Sequence, residues 1–328
     1  MYPELFELPF FHVTVKSYGL MMVIGFLSAV ALIRRLSRNI TPDPQMITNA
    51  ALYSLIGGVV GARLFYVVHY FENFRDDLPS VFAIWQGGLE LLGGVILTIA
   101  IIFLYLLYHK LPARRYLDIL AIALLLALIF GRIGCFLNGC CYGKPSNLPW
   151  AVRFPYNSFA YRSQVNANPQ RGRSEPQLHL PTDYIQYRGS DGHVYPKAYQ
   201  ELMETQKFEV TKGDYRCLPV HPTQLYESAA AAFLCGLLYL FWRRAQMTPQ
   251  AHAVSRLLAK PGQTFALMFV VYGVARFLLE FLRDDNPFEI AGLTLSQLLG
   301  LVMVLFGLVL TAALERLKPE KVPPPKKE

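Results

Sequence analysis

The sequence predicts an all-α polytopic membrane protein with seven transmembrane helices and a small extracytoplasmic head inserted between helices four and five. Three observations carry that expectation. The 328 residues are 53% hydrophobic and only 16% charged, which is the composition of a membrane protein rather than of a soluble enzyme. Seven apolar runs approach the roughly 17 to 25 residues that a bilayer core demands. Lys and Arg gather beside alternate spans, which is how a chain records its orientation.

The spans run approximately over residues 18–33, 47–66, 89–107, 117–136, 226–242, 265–281 and 293–314; the first and fifth are short and have room for another turn. Basic clusters follow span one (Arg34, Arg35, Arg38), separate spans three and four (Lys110, Arg114, Arg115), separate spans five and six (Arg243, Arg244, Arg256, Lys260), and follow span seven (Arg316, Lys318, Lys321, Lys326, Lys327). All four fall on one side, so the C-terminus is expected inside and the N-terminus outside. The formal charge of +8 is absorbed by this pattern, and no nucleic-acid partner is expected. The first residues, MYPELFELPFFH, carry acids where a secretory leader has a basic region, so no cleaved leader is expected. Residues 1–143 would hold spans one to four, 144–220 the head and 221–316 spans five to seven. Residues 317–328 would form a disordered basic cytoplasmic tail. In the head, WAVRF and HVYPKAY look strand-like, although a largely irregular lid is the alternative.

Charged side chains in apolar spans mark candidate chemistry. The stretch FGRIGCFLNGCCYG, residues 130–143, ends an apolar run and opens into the longest polar region. An arginine at mid-membrane costs about 2.5 to 3.5 kcal/mol on insertion scales, so Arg132 is a functional candidate. Span six ends YGVARFLLEFLRDD, where Tyr272, Arg276, Glu280 and Arg283 recur at steps of four, four and three on one helix face. An internal Arg-Glu-Arg network that only fixes packing is one reading. A shared anion site with Arg132 is the other, because two guanidiniums present planar forks suited to a phosphate. Span two contains GGVVGARLFY. Gly57 and Gly61 read as small-residue packing, and Arg63 as either an interfacial anchor or a secondary site residue. Span three opens QGGLELLGG, whose glycines suggest a broken helix start around Glu90.

The segment HPTQLYES leads into span five. Pro222 suits a first helical turn and Glu227 an early helical position favoured by the dipole, while His221 is either structural or a proton carrier at the mouth of a cavity. Cys135, Cys140 and Cys141 are spaced C-x4-C-C, which matches no common zinc pattern; a tetrahedral site would need a fourth ligand such as His221 or Cys217. The expectation is no metal, with the cysteines as small apolar residues.

Six motifs in order, YGLMMVIGF, GGVVGARLFY, QGGLELLGG, GRIGCFLNGCCYG, HPTQLYE and YGVARFLLEFLR, resemble the prolipoprotein diacylglyceryl transferases of bacterial inner membranes, over most of the chain. The resemblance implies seven spans, an outside N-terminus, and partners that are phosphatidylglycerol, membrane lipid and prolipoprotein lipobox peptides. It also implies a reaction without cofactor: diacylglyceryl transfer to the lipobox cysteine, forming a thioether and releasing glycerol phosphate. Carried over by residue, it places catalytic roles on Arg132 and Arg276 and a further role on Tyr18. Asn138, Gly143, Glu280 and Arg283 fall at the lipid site. The chain departs at Leu92, where many members have histidine, and at Cys135 and Cys140, where some have asparagine and glutamate. Leucine takes no proton, so either the base is elsewhere, with His221, Tyr18 and Glu280 as candidates, or thiol deprotonation relies on the two arginines and solvent, or the chemistry has changed. Two alternatives follow: a transferase of the same architecture with another acceptor, and a noncatalytic phospholipid-binding protein.

Overall fold

The computed structural model describes residues 4–8, 13–38, 45–75, 77–83, 87–190, 192–247 and 260–317. The tail expected at 317–328 lies outside these apart from Leu317, as does Arg256. A hairpin of β1 (Glu4–Leu8) and β2 (Val13–Lys16) leads into α1 (Ser17–Ser37), α2 (Gln45–His69), α3 (Leu91–Tyr108) and α4 (Ala113–Asn138). The polar segment follows, carrying α5 (Phe159–Gln164), hairpin strands β3 (Ile185–Arg188) and β4 (Val194–Pro196), and α6 (Glu204–Thr211). The chain then forms α7 (Thr223–Met247), α8 (Gln263–Glu280), the hairpin β5 (Phe288–Ile290) with β6 (Leu293–Thr294), and α9 (Leu295–Arg316). Six helices, α1, α2, α4, α7, α8 and α9, are long and apolar enough to cross a bilayer, so the chain is a polytopic membrane protein. α3 is also apolar, over the shorter run Leu92–Tyr108.

Helix ends follow local chemistry. Arg34 and Arg35 occupy the last turn of α1, where the helix dipole favours cations. Gly139 ends α4 in the left-handed region at φ 78°, which costs a residue without Cβ nothing. α9 opens with a capping box, Thr294 accepting from the Gln297 amide and the Gln297 side chain accepting from the Thr294 amide, so the helix starts two residues later than the apolar run suggests. The glycines before α3 do give a non-helical entry: Gly87 and Gly88 have φ of 88° and 73°, and Glu90 is the N-cap.

α4 is the central helix, with Ile119, Ala121, Ile122, Ala123 and Leu125 all nearly inaccessible, and it packs on α1, α7 and α8. α2 pairs with α3 through facing glycines. A Cβ at Gly58 would meet the Thr98 hydroxyl at 2.8 Å, and one at Gly94 the Gly58 carbonyl at 2.8 Å, so the backbones approach as the small-residue spacing suggests. Large apolar side chains on the outer faces, such as Ile56, Val68, Leu104 and Leu305, stay exposed, as expected where lipid is the solvent.

The polar segment has a core of its own. Phe154, Tyr161, Val165, Cys217 and Val220 form one cluster, and Tyr184, Leu202 and Val210 a second. Buried Gln164 bridges it, accepting from the Leu218 amide at 2.8 Å and donating to the Leu218 carbonyl at 3.2 Å. HVYPKAY supplies β4, whereas WAVRF contributes a single bridge, Val152 to Val220.

Buried Asp118 joins α4 to the start of α8 by accepting from the amides of Gly262 (2.7 Å) and Phe265 (2.9 Å). Charge-assisted bonds to helix N-terminal amides are strong. Asp118→Ala is expected to destabilise the protein by about 1 to 3 kcal/mol, read as a lowered melting midpoint in detergent with faster amide exchange at 262 and 265; unchanged exchange there would refute this capping role.

Candidate active site

The site forms where the ends of α4 and α8 meet the first turns of α7. Glu227, about one turn into α7, is the carboxylate on which it converges. Its Oε2 lies 2.6 Å from Arg132 Nε of α4, and its Oε1 accepts from Arg276 Nη1 of α8 at 2.9 Å and from Arg283 Nη1 at 3.0 Å. Arg283 stands just past α8, because the helix ends at Glu280. Glu280, 1% exposed, forms the second layer. Its Oε2 pairs with Arg276 at 2.9 Å and faces Arg283 at 3.7 Å, while its Oε1 accepts from Asn286 at 2.6 Å and Thr294 at 3.0 Å. Ser296 accepts from Arg276 Nη2 at 2.8 Å. Asp285 takes Arg283 in a two-point grip at 2.8 and 2.6 Å. Burial works against the Arg283 charge, but Asp285 more than offsets it and holds the guanidinium pKa above its ordinary value.

Three guanidiniums thus face three carboxylates, and one of them is less engaged than the others. Arg132 spends only Nε, in an ion pair with Glu227, and among the described residues its terminal nitrogens hydrogen-bond to nothing. An apolar pocket beside it is lined by Glu227, Tyr272, Arg276, Leu128 and Leu234. A fourth arginine comes from the polar segment: the Arg171 side chain is 4% exposed, its Nη2 stands 4.0 Å from Glu280, and it stacks on Phe288 at 4.8 Å. Its Nε and Nη2 have no hydrogen-bond partner among the described residues. The arrangement can accept an oxyanion between fixed cations, where charge that develops on the ligand is stabilised without reorganisation.

Of the residues singled out in the sequence, Arg132, Arg276, Glu280 and Arg283 come together. Tyr18 packs on α4 at Gly134, within electrostatic range of Arg132 and of Cys135, Cys140 and Cys141. Asn138, the last residue of α4, lies near the Cys140 side chain. Gly143 serves as a crossing point. Its amide donates to the His221 carbonyl at 3.1 Å, while the next amide donates to Leu282 at 2.8 Å. His221 turns away from the arginines: its Nδ1 is 3.4 Å from the Tyr226 hydroxyl, which accepts from Trp150 at 2.7 Å. Arg63, read from the sequence as an interfacial anchor or a secondary site residue, is buried and donates four hydrogen bonds to the carbonyls of Ser80, Val81, Gly87 and Gly88 at 2.7 to 2.9 Å, pinning the loop before α3. Glu227 was read only as a dipole partner; its signal was the position inside HPTQLYES, which names no counter-ion.

Removing a partner from a buried ion pair typically costs about 3 to 5 kcal/mol, so Glu227→Ala should lower the melting midpoint strongly; an unchanged midpoint would show that the arginines have other anions. Glycine substitutions give a matched contrast. A Cβ at Gly143 meets His221 at 2.7 Å and the Leu282 carbonyl at 2.8 Å, whereas one at Gly131 meets nothing nearer than 3.7 Å. Gly143→Ala should cost about 1 to 3 kcal/mol, while Gly131→Ala should be neutral or stabilising by up to about 1 kcal/mol, both read by thermal unfolding.

Comparison with known proteins agrees with this geometry. Residues 3–313 match the family model described as prolipoprotein diacylglyceryl transferase. The chain is 29% identical over 308 residues to a Clostridium tetani protein named phosphatidylglycerol–prolipoprotein diacylglyceryl transferase, covering 94% of this chain and 96% of the relative. It is 32% identical over 309 residues to a Methylococcus capsulatus protein of the same name, covering 91% and 90%. A match over nearly the whole length, together with an arginine cluster in a membrane bundle, means that the chain belongs to the prolipoprotein diacylglyceryl transferase family.

Proposed function

We propose that this protein transfers the diacylglyceryl group of phosphatidylglycerol to the thiol of a prolipoprotein lipobox cysteine, forming a thioether and releasing glycerol phosphate. The observation that carries this reading is Arg132, paired through Nε with Glu227 and with its terminal nitrogens unpartnered among the described residues, beside Arg276. Family membership supports the same activity.

The acceptor sulfur attacks the diacylglyceryl carbon that bears the phosphate ester, the carbon–oxygen bond breaks, and its electron pair leaves with glycerol phosphate. A thiolate is the competent nucleophile, so the thiol proton must be removed. The leaving phosphate gains one negative charge, and Arg132 and Arg276 bind its oxygens as that charge appears. Glu280 and Arg283 hold Arg276 in place, and Arg171 supplies a positive charge that the three site carboxylates leave unbalanced. Asn138 and Gly143 border the lipid headgroup. His221 and Tyr18 remain the proton carriers of this reading, because Glu280 is committed to Arg276, Asn286 and Thr294. Arg63 supports the lipid side only by fixing the loop before α3. The protein takes the bacterial inner membrane as its site, with α3 as a seventh span. Residues 144–220 and the N-terminus face the extracytoplasmic side and the C-terminus the cytoplasm.

The test is a reconstituted reaction of full-length protein in phosphatidylglycerol vesicles with a lipobox peptide, read by mass spectrometry. Wild type should yield a diacylglyceryl-peptide. Arg132→Ala and Arg276→Ala should each lose about a hundredfold or more in rate, and Arg132→Lys should recover only part, since a point charge lacks the fork. No adduct from wild type that still binds lipid, or full rates in the arginine variants, would overturn the proposal.

A further inference from the structure

The turn that ends α4 gathers three thiols that the transfer reaction does not use. Gly139 caps the helix in the left-handed region, and the amides of Gly139 and Cys140 both return to the Cys135 carbonyl, at 3.0 and 3.2 Å. This fold-back lays Cys140 over Cys135, its sulfur 3.7 Å from the same carbonyl. Cys141 then adopts φ 59°, a left-handed conformation that strains a residue with a Cβ and persists only where the surroundings impose it. The first turn of α7 imposes it: Thr223 donates to the Cys141 carbonyl at 2.7 Å and Gln224 to the Cys140 carbonyl at 2.6 Å. Both Thr223 and Gln224 are fully buried. The result is three sulfurs within 4.8 Å of one another.

We propose that Cys135, Cys140 and Cys141 form a three-thiolate site for a soft monovalent cation of the copper(I) class. A metal held about 2.3 Å from each of three sulfurs places them about 4 Å apart, so the observed triangle needs only side-chain adjustment. Disulfide geometry needs sulfurs about 2 Å apart and engages two of three, which would leave one sulfur over. Soft thiolates select soft ions. Zinc is disfavoured because it takes four ligands in closed protein sites, and among the described residues no further cysteine, histidine or carboxylate joins the group. Binding exchanges three thiol protons, released to solvent, for one cation and leaves two net negative charges. Arg132 lies within electrostatic range of Cys135 and Cys141, and Arg283 within range of Cys141, so the surroundings offset that charge.

The test titrates the reduced full-length protein in detergent, without oxygen, with Cu(I) against the chromophoric chelator bathocuproine disulfonate. One equivalent should be withdrawn from the chelator, with ultraviolet thiolate-to-copper absorption. Cys135→Ser and Cys140→Ser should each weaken binding at least tenfold, while Cys217→Ser and Cys235→Ser should leave it unchanged. Alkylation of the wild type, mapped by mass spectrometry, reads the site without any variant: Cu(I) should protect Cys135, Cys140 and Cys141 together. Failure to withdraw copper, equal withdrawal by Cys140→Ser, or a protection pattern that omits these three would overturn the site.

Discussion

One carboxylate decides how this bundle closes. Glu227 draws together arginines from α4, from α8 and from the turn beyond α8, and none of the three would be tolerable there alone. Taking a single ion out of water costs several kcal/mol even after relaxation, and mutual attraction repays it only where the geometry is good and the remaining donors are bonded. Glu280 and Asp285 meet that condition for Arg276 and Arg283. The helices are therefore joined at this end by charge as much as by shape. At the other end of α4 the same helix is joined to α8 by Asp118 and two amides. Between them the contact is apolar, through α4 residues such as Ile119, Ile122 and Leu125.

The network also has an order of commitment, and this bears on what it can bind. Arg283 is gripped by Asp285 at two points and by Glu227 at a third. Arg276 is shared among Glu227, Glu280 and Ser296. Among the described residues, Arg132 forms an ion pair with Glu227 alone. Under the proposed reaction, a phosphate would meet the least committed guanidinium first and compete with Glu227 for the others. Binding is then an exchange of one anion for another, in which the desolvation of the arginines has already been met by folding. Three crossings hold the approach in place: Gly143 to His221, Lys144 to Leu282, and Asp284 to Tyr142, a set of backbone bonds at 2.8 to 3.2 Å. The polar segment reaches the same place through Arg173, which binds Asp284 at 2.7 Å.

Six of the seven expected spans were legible because hydropathy over about twenty residues is a strong signal that tertiary context seldom reverses. Arg276, Glu280 and Arg283 were legible for a related reason: charge inside an apolar run has few explanations, and a spacing of four and three puts the residues on one face. Glu227 was not, because a glutamate early in a helix already has a local explanation in the dipole, and its partners lie 49, 56 and 95 positions away. Arg171 was hidden in a polar stretch where an arginine is ordinary. The capped start of α9 and the three small hairpins depend on pairing that periodicity over two to five residues does not reveal.

Arg63 and Arg132 put the limit of such reasoning most sharply. Both are arginines in apolar helices beside glycines. The structure separates them by what satisfies their nitrogens. Arg63 gives four hydrogen bonds to loop carbonyls and rests near Phe74 and Tyr66; neutral acceptors complete it, and its charge serves to fold a loop that is distant in sequence. Arg132 is matched by an anion at one nitrogen and left open at the other two. Burial cost identifies an arginine that must have a purpose, and nitrogens without a hydrogen-bond partner among the described residues, on Arg132 and on Arg171, mark where the proposed reaction would place its anion. That distinction is a property of partners seventeen or more residues away, and it becomes readable only when the chain is folded.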